Sequence, residues 1–381
     1  MPLIYLLAGE HSGDVLGARL MAALRAARPD LDFAGIGGPR MAALGFSSLF
    51  PMHELAVMGL VEIVPRLWRL RRRMAETVAD IAARRPAIVV TIDSPGFALR
   101  LLRRIAPLGV TRVHYVAPQV WAWRESRVRR FPGLWDRLLC LLPFEPDYFA
   151  RFGLDARFVG HPVLESGADQ GNGARFRAAH GIAADAPLVI LMPGSRPSEA
   201  GRLLPVYGQT VALLAARFPS LVPVVPAAGA VAQAVARAAA DWPIKPLVVS
   251  EIAGKHDAFA AASAALTKSG TSTLELALAG APMAVTYRVN ALTAMIARRL
   301  IRVPHVAMVN LLAGREVVPE LLQENCSPER LAATVSGLIT TPALAAAQRE
   351  AFRAVLATLR PPAGLPSEAA AAAVLESLEQ A

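Results

Sequence analysis

The stretch LMPGSRPSEAG (191–201) places a hydroxyl and a guanidinium directly after an apolar run. Pro193 and Gly194 end the run, and Ser195 and Arg196 follow. Glycine lets backbone N–H groups approach an anion, and arginine offers a fork of donors that matches phosphate. An arginine that is merely exposed at a turn is the alternative. The stretch therefore favours an anion, phosphate in particular, at the end of a strand.

A second small-residue turn lies in TKSGTSTLE (267–275), where Gly270, Thr271 and Ser272 open a predicted helix. Hydroxyls and backbone N–H groups at such a start can bind a diphosphate. Glu275 follows one turn later, where its carboxylate can take two ribose hydroxyls. Ser/Thr followed by Glu is also a capping box, which is a purely structural use of the same residues.

Two carboxylates stand at predicted strand ends in the first half of the chain. Glu10 lies in AGEHSGD (8–14), whose glycine spacing fits neither the dinucleotide fingerprint nor a P-loop. This turn either faces a ligand or is only a tight connection. Asp93 lies in TIDSPGF (91–97), where it can accept a proton from a hydroxyl or cap the following turn.

Two segments could meet sugar or lipid. The first is VAPQVWAWRESRVRR (116–130), in which Trp121 and Trp123 stand beside Arg124 and further arginines. This combination suits a sugar, a phosphorylated lipid or single-stranded nucleic acid. Core packing is the alternative explanation for one of the two tryptophans. LAVMGLVEIVPRLWRLRRRM (55–74) is apolar and then arginine-rich, with Pro65 between the halves. It is either a buried hairpin of helices or a surface that dips into lipid.

These residues need a scaffold, and short apolar runs alternate with helical stretches throughout the chain. This βαβ rhythm predicts an α/β fold with two doubly wound, Rossmann-like domains, whose ligands gather at the carboxyl ends of the strands. We predict an N-terminal domain (1–165), a linker (166–186) and a C-terminal domain (187–345). C-terminal helices (346–381) follow and pack back on the N-terminal domain or on a partner chain.

The composition narrows the function classes. The 381 residues are 54% hydrophobic and 18% charged, with mean hydropathy +0.40, which argues against disorder. No charge-free run of ~20 apolar residues and no basic leader is visible, so we expect a cytoplasmic protein without a spanning helix. The two cysteines form no metal-ligand pattern, and no cofactor is expected. The net charge of +10 fits nucleic acid, an anionic membrane or an anionic substrate.

Taken in order, the motifs resemble those of the lipid-A-disaccharide synthases, a glycosyltransferase family of Gram-negative bacteria. The resemblance covers nearly the whole chain and includes AGEHSGD, GIGGPRM, ELAVMGLVEI, IDSPGF, HYVAPQVWAWRESRV, LLPFEPDYF, FVGHPVLE, LMPGSRPSE, KSGTSTLE and VNLLAGREVVPELLQE. One motif departs from the pattern, because many members have Asp-x-Pro-Asp-Phe where this chain has Gly96 in place of the second aspartate.

The resemblance implies a GT-B architecture, with two Rossmann-like halves facing a cleft. It implies transfer of 2,3-diacylglucosamine from UDP-2,3-diacylglucosamine to the 6-hydroxyl of 2,3-diacylglucosamine 1-phosphate, with inversion. The products are a β(1→6) lipid A disaccharide 1-phosphate and UDP. It further implies a peripheral location on the cytoplasmic face of the inner membrane, on its anionic surface, and a homodimer with exchanged C-terminal segments.

The resemblance also assigns site residues. Asp93 is the candidate base, Arg196 meets the departing diphosphate, and Glu10 lies on the acceptor side. The residues assigned to nucleotide binding are Ser195, Arg196, Gly270, Thr271, Ser272, Glu275, Asn310 and Arg315. Those assigned to acceptor or lipid binding are Met58, Val61, Trp121, Trp123 and Arg124.

Two other functions remain open at this point. Another GT-B enzyme of UDP-sugars, such as a UDP-N-acetylglucosamine epimerase or transferase, is not excluded by SGTSTLE alone, although HYVAPQVWAWR argues against it. A basic nucleic-acid-binding protein fits the charge and the Trp/Arg cluster, although the resemblance implies no nucleic acid partner.

Overall fold

The structure is a computed structural model that describes residues 1–55, 60–123, 125–290, 294–295 and 303–380, with the backbone alone for residues 60–67. Met58 and Arg124 therefore lie outside the described residues, and so does the side chain of Val61. The described chain forms two parallel six-stranded sheets, each with helices around it.

The first sheet has the strand order β2-β1-β3-β4-β5-β6. Its strands are β1 Leu3–Ala8, β2 Asp32–Ile36, β3 Ile88–Ile92, β4 Thr111–Tyr115, β5 Arg137–Cys140 and β6 Ala156–Phe158. The central strand β3 reads IVVTI and is buried along its whole length, as expected for a parallel strand that is covered on both faces. The strand order reverses between β1 and β3, so the loops after these two strands border a crevice where ligands bind in such sheets.

The second sheet has the order β12-β11-β10-β7-β8-β9, the classical dinucleotide-fold arrangement. Its strands are β7 Leu188–Met192, β8 Val222–Pro226, β9 Leu247–Val249, β10 Ala264–Lys268, β11 Met283–Tyr287 and β12 Glu320–Leu322. The order reverses between β7 and β10. These two strands carry PGSR and SGTSTLE directly after them, so both motifs lie at this switch point.

Fifteen α-helices are described, among them α2, α5 and α12, which are short. They are α1 His11–Ala27, α2 Pro39–Ala42, α3 Leu60–Arg84, α4 Pro95–Ile105, α5 Val120–Trp123, α6 Glu145–Ala150, α7 Gly173–Ala179, α8 Pro197–Arg217, α9 Gly229–Ala238, α10 Ile252–Ala260, α11 Ser272–Leu278, α12 Met308–Ala313, α13 Pro328–Thr340, α14 Pro342–Thr358 and α15 Pro366–Glu379. Residue 65 does not divide 55–74 into two helices, because α3 continues through it to Arg84.

The chain divides into two compact units, and the first is discontinuous in sequence. One unit comprises Met1–Pro162 with Leu359–Ala381, and the other comprises Val163–Thr358. The C-terminal helix α15 packs on α1 within the first unit, and its Glu376 pairs with Arg137 and Arg157 of β5 and β6. The last helix of the chain therefore completes the core of the first sheet.

The predicted linker segment 166–186 belongs to the second unit. Its helix α7 is held to α10 because Arg175 donates both to Asp257 Oδ1 and to Asp257 Oδ2, each at 2.7 Å. The backbone N–H of Asn172 donates to the same carboxylate, and Asn172 caps α7 with its side chain. This segment is therefore packed against the second unit by an ion pair and a helix cap.

Taken singly, none of the helices in the described ranges combines the length and the apolar composition needed to cross a membrane. Helices α13 and α14 meet the criteria only as a pair, and they are bent by 89° at their junction.

Candidate active site

The loops after β1 and β3 meet at the switch point of the first sheet. Ala8 pairs with Ile92, so Gly9 and Asp93 follow neighbouring strand ends. A Cβ atom at Gly9 would lie 2.5 Å from Ser94 Oγ, which no real side chain tolerates. Glycine is therefore required at position 9 because the second loop lies directly against it.

Asp93 is held in a strained backbone conformation at this edge. Its φ is 51° and that of Ser94 is 48°, both in the left-handed region that few residues other than glycine adopt. Its N–H donates to Tyr115 O at 2.9 Å, and its carboxylate accepts from Ser12 Oγ at 3.2 Å. Strain of this kind is retained where surrounding contacts impose it, and it clusters at functional sites.

The glycine-rich motif AGEHSGD mainly serves packing. Gly13 and Gly17 are buried, and a Cβ at position 17 would lie 2.6 Å from Met41 Sδ. Asp14 is fully buried and accepts from the backbone N–H groups of Gly38, Arg40 and Met41, at the start of α2. The structure thus supports the tight-connection alternative for Gly13, and it gives Gly17, which lies beyond the motif in α1, a packing role as well.

Glu10 is exposed at the beginning of α1, where its carbonyl accepts from the N–H of Asp14. Glu10 is the N-cap residue of α1, and Ser12, whose hydroxyl contacts Asp93, lies in the first turn of the same helix. The structure brings Glu10, Ser12 and Asp93 to one edge of the first sheet.

A buried carboxylate organises the neighbouring loop, which follows β4. Glu145 Oε1 accepts from Trp121 Nε1 at 3.1 Å, and its Oε2 accepts from the N–H groups of Leu141 and Leu142. Burial raises the pKa of Glu145 to about 7, against the three hydrogen bonds, which lower it. Glu145 therefore joins the end of β5 to α5 and fixes the indole of Trp121.

Trp121 and Trp123 have different surroundings although they are two residues apart. Trp121 is partly buried and contacts Phe144 edge to face, with ring centroids 5.0 Å apart. Trp123 is 42% exposed. Core packing thus accounts for Trp121, whereas Trp123 presents an aromatic surface on the loop after β4.

At the second switch point, Ser195 and Arg196 are exposed after β7, and Arg196 is the N-cap residue of the 21-residue helix α8. Gly194 has φ +111°, which is unfavourable for any side chain. Arg196 Nη1 donates to Glu199 Oε1 at 3.2 Å, and Lys268 Nζ, at the end of β10, donates to the same oxygen at 2.9 Å. Two cations therefore converge on one carboxylate at the strand ends.

The turn that opens α11 lies beside them. Gly270 has φ +152°, Gly270 and Thr271 are exposed, and Ser272 is the first residue of the helix. Glu275 Oε2 accepts from Lys255 Nζ at 2.8 Å, and both side chains are about one quarter exposed. The capping-box alternative is not observed at Glu275, because its described partner is Lys255 of α10.

Asn310 lies inside the fold. It is fully buried, its Nδ2 donates to Val318 O and Glu320 Oε1, and its Oδ1 accepts from the N–H groups of Val317 and Val318. Its amide is thus fully used in bracing the connection between α12 and β12. Any effect of Asn310 on a nucleotide has to be transmitted through this connection.

The structure does not bring Arg315 to the strand ends that carry Arg196. Arg315 precedes β12, so it lies on the amino-terminal side of the second sheet, whereas Arg196 and Gly270 follow their strands. It borders a groove of about 850 Å³ between α13 and α14, whose wall includes Gln348, a residue bound to the main chain of Met283 at the start of β11.

Helix α3 carries an exposed aromatic and cationic face. Trp68 is 74% exposed, and Arg69, Arg71 and Arg72 are exposed beside it. Arg73 is different, because it donates two hydrogen bonds to Glu54 and one to Glu76 and is only partly exposed. Arg73 therefore holds α3 to the preceding segment and does not belong to the exposed cationic face.

Within the part of the chain that the structure describes, no group of three or more His, Cys, Asp or Glu side chains could hold a metal ion. Cys140 and Cys326 are both buried and lie in different units.

Comparison with known proteins identifies the family of this chain. The family model described as lipid-A-disaccharide synthetase matches residues 4–374. The chain belongs to this family. Lipid-A-disaccharide synthase from Granulibacter bethesdensis is 64% identical over 390 residues, covering 100% of this chain and 99% of the relative. That from Pseudomonas aeruginosa strain UCBPP-PA14 is 43% identical, covering 99% and 98%. Membership makes the protein a glycosyltransferase of lipid A biosynthesis.

Solved structures confirm the fold. UDP-GlcNAc 2-epimerase from Neisseria meningitidis, solved with UDP-GlcNAc, aligns with a TM-score of 0.65 at 12% identity over 100% of both chains. The calicheamicin glycosyltransferase CalG4 aligns with a TM-score of 0.62 at 16% identity, covering 100% and 99%. The predicted α/β class with two Rossmann-like domains of the GT-B type is therefore confirmed.

Several residues of these surfaces were missed by the sequence analysis. Ser12, Glu145, Glu199 and Lys268 lie inside motifs of the synthase family and Lys255 lies between two of them, but each reads locally as an ordinary polar residue. The hydrogen-bond partners of their side chains are 20 or more residues away, apart from Arg196 beside Glu199 and the backbone of Leu141 and Leu142 beside Glu145. Only the strand order could have placed Lys268 beside Glu199.

Proposed function

We propose that this protein transfers 2,3-diacylglucosamine from UDP-2,3-diacylglucosamine to the 6-hydroxyl of 2,3-diacylglucosamine 1-phosphate, with inversion at the donor's anomeric carbon. The products are the β(1→6)-linked lipid A disaccharide 1-phosphate and UDP. The observation that carries the proposal is the exposed guanidinium of Arg196 at the start of α8, at the second switch point, because a departing diphosphate needs a cationic donor there.

Asp93 takes the part of the base in this proposal. Its carboxylate accepts the proton of the acceptor 6-hydroxyl while that oxygen forms its bond to the anomeric carbon. Ser12 orients the carboxylate through the hydrogen bond to Oδ2, and the backbone strain fixes the position of Asp93 itself. The single carboxylate serves alone, since position 96 is glycine.

Arg196 acts on the other side of the reaction. As the bond between the anomeric carbon and the phosphate oxygen breaks, its electron pair passes to UDP, and the guanidinium stabilises the developing charge. Ser195, Gly270, Thr271 and Ser272 supply hydroxyl and backbone donors from the same strand ends. The Glu275–Lys255 pair presents a carboxylate one turn along α11 for the ribose hydroxyls.

Glu10, Trp121 and Trp123 form the acceptor side with Asp93. The exposed ring of Trp123 suits the apolar face of a sugar, while Trp121, held by Glu145, sets the shape of the loop. Met58, Val61 and Arg124 remain predictions for acyl-chain and acceptor contacts, since their side chains lie outside the described part of the structure.

Acylated substrates call for a membrane surface, and we propose a peripheral location on the cytoplasmic face of the inner membrane. Trp68 with Arg69, Arg71 and Arg72 supports this, because indole rings and guanidinium groups suit the interface of an anionic bilayer.

A homodimer with exchanged C-terminal segments is part of the same proposal. Residues 359–380, which complete the first unit of their own chain, are the segment to exchange, and light scattering of the purified protein tests it.

The deciding experiment incubates the whole protein with both diacyl sugars and measures disaccharide and UDP. We expect both products in equal amounts, a β(1→6) linkage by NMR, and turnover that persists when EDTA is added. UDP should also raise the melting temperature. Tight, salt-dependent binding of oligonucleotides without protection by UDP would instead favour the nucleic-acid-binding alternative.

A further inference from the structure

One carboxylate at the second switch point serves two cations. Glu199 Oε1 accepts from Lys268 Nζ at 2.9 Å and from Arg196 Nη1 at 3.2 Å. Lys268 is the last residue of β10 and Glu199 lies in the first turn of α8, so both side chains stand at the carboxyl edge of the sheet. Both are partly buried, with 21% and 17% of the side chain exposed.

The loop after β7 is shaped so that these side chains lie directly against it. A Cβ at Gly194 would be 2.6 Å from Glu199 Oε2 and 3.4 Å from Lys268 Cδ. Any side chain at position 194 would displace the carboxylate and crowd the lysine. Gly194 therefore allows Lys268 to reach the same loop that presents Arg196.

The charges of Lys268, Arg196 and Glu199 sum to a net positive charge, which favours an anionic ligand. Burial alone would raise the pKa of Glu199, but Lys268 and Arg196 outweigh it and hold the pKa below its usual range. The ionised carboxylate offsets one of the two positive charges. A surplus of one positive charge thus remains at the switch point, where a diphosphate carries at least two negative charges.

The contacts of Lys268 are also compatible with hydrogen bonds from its ammonium to a ligand. Its ammonium has three donor protons, and its described partners are Glu199 Oε1 and the ring of Tyr287, 5.5 Å from the centroid. Arg196 is more exposed, with 51% of its side chain open to solvent. The lysine is therefore the more firmly placed of the two cations.

We propose that Lys268 is a second diphosphate-binding residue, which acts with Arg196 on the departing UDP, and that Glu199 positions both cations. This inference rests on the proposed function. Lys268 donates to the phosphate oxygens that receive the electron pair when the bond to the anomeric carbon breaks, and the acceptor's proton still goes to Asp93. Because such contacts are charge-assisted, Lys268 discriminates UDP from uridine.

The test measures binding of UDP by calorimetry and of uridine by ligand-observed NMR. In Lys268→Met, which keeps an unbranched apolar side chain over Tyr287, we expect the Kd for UDP to rise roughly 10- to 100-fold while the Kd for uridine changes less than about twofold. Lys268→Arg should recover most of the UDP affinity. Lys245→Met, at an exposed lysine of the same unit, is the matched control.

The outcomes separate this inference from the proposed function. If the unaltered protein binds UDP and forms disaccharide but Lys268→Met binds UDP equally well, Lys268 is a structural ion-pair partner and the inference is wrong. Equal weakening toward UDP and uridine would also overturn it, because the loss would then be general. If the unaltered protein binds no UDP, the proposed function fails, and the inference fails with it.

Discussion

Ser12 Oγ lies 3.2 Å from Asp93 Oδ2, although the two residues are 81 positions apart. The loops after β1 and β3 come together here because the order of the first sheet reverses between these strands. The hydroxyl therefore orients the carboxylate that stands at the end of a buried strand, on a backbone with two successive left-handed residues.

This relationship predicts that Asp93 is needed for turnover and not for folding. Asn tolerates the left-handed region better than most residues, so Asp93→Asn preserves the backbone while removing the proposed base. We expect the turnover number to fall ~10²- to 10⁴-fold with a melting temperature close to normal. Ser12→Ala should lower turnover by a smaller factor. Normal turnover in Asp93→Asn would show that the carboxylate is not the base.

Arg196 gives a second prediction at the opposite side of the reaction. Its guanidinium is largely exposed, so Arg196→Ala should leave the fold intact while turnover falls ~10²- to 10³-fold, the usual cost of removing one donor to a developing charge. Arg202→Ala is the matched control, since Arg202 is also exposed on α8. Steady-state kinetics of both variants measure the difference, and equal activity would refute the role of Arg196.

Asn310 should affect stability more than ligand binding. Asn310→Ala leaves the N–H groups of Val317 and Val318 without their acceptor inside the fold, which costs roughly 2–4 kcal/mol of unfolding free energy. Thermal or urea unfolding measures this loss, with the exposed Gln233→Ala as control. Calorimetry should find the UDP affinity of the folded variant within a few-fold of normal. A large loss of affinity without a loss of stability would restore a direct nucleotide contact.

The arginines of α3 divide into two groups that vesicle binding can distinguish. Replacing Arg69, Arg71 and Arg72 together with Gln should release the protein from anionic vesicles, and high salt should do the same. Arg73→Gln should leave vesicle binding largely unchanged and lower the melting temperature, because Arg73 is engaged by Glu54 and Glu76. Co-sedimentation with anionic and neutral vesicles measures both, and binding that ignores salt and the triple substitution would contradict an electrostatic anchor.

Glu145 predicts a pH dependence of stability. Its pKa in the folded protein is about 7 because of burial, above the usual 4.5, so the folded protein retains a proton that the unfolded chain has released. The resulting stabilisation is complete below pH 4.5 and is lost as the pH rises to about 7, amounting to roughly 3 kcal/mol. Glu145→Gln removes this dependence. The difference between the melting temperatures at pH 5 and at pH 7.5 should therefore be smaller for Glu145→Gln than for the control variant Glu251→Gln, which changes an exposed residue.

Much of the fold could be predicted from sequence because the buried strands are continuous apolar runs. IVVTI at 88–92 and LVILM at 188–192 are apolar runs of strand length, which is typical of strands in a sheet covered on both faces. Asp93 and Arg196 stood out for the same reason, since each is a polar group within four residues of the end of such a run. Helix α3 was harder, because a proline at position 65 suggested a break that the backbone does not have.

Roles that depend on distant partners were beyond the sequence. Asn310 and Arg315 read as polar groups among apolar ones, yet one braces a loop and the other lies on the amino-terminal side of its sheet. Arg73 looked like its neighbours Arg71 and Arg72 until Glu54 was placed beside it. A one-dimensional pattern gives the type of a side chain but not which carboxylate reaches it.

The sequence by itself determined the class of the protein, because the order of its motifs and the spacing of its apolar runs are local properties of the chain. It also selected the strand ends at which we propose that chemistry takes place. Only the tertiary structure decided which residues share those ends, joining Ser12 to Asp93 and Lys268 to Glu199 across 81 and 69 positions. The physical reason is the strand order, which brings loops together according to hydrogen-bonded neighbours and not according to their distance along the chain.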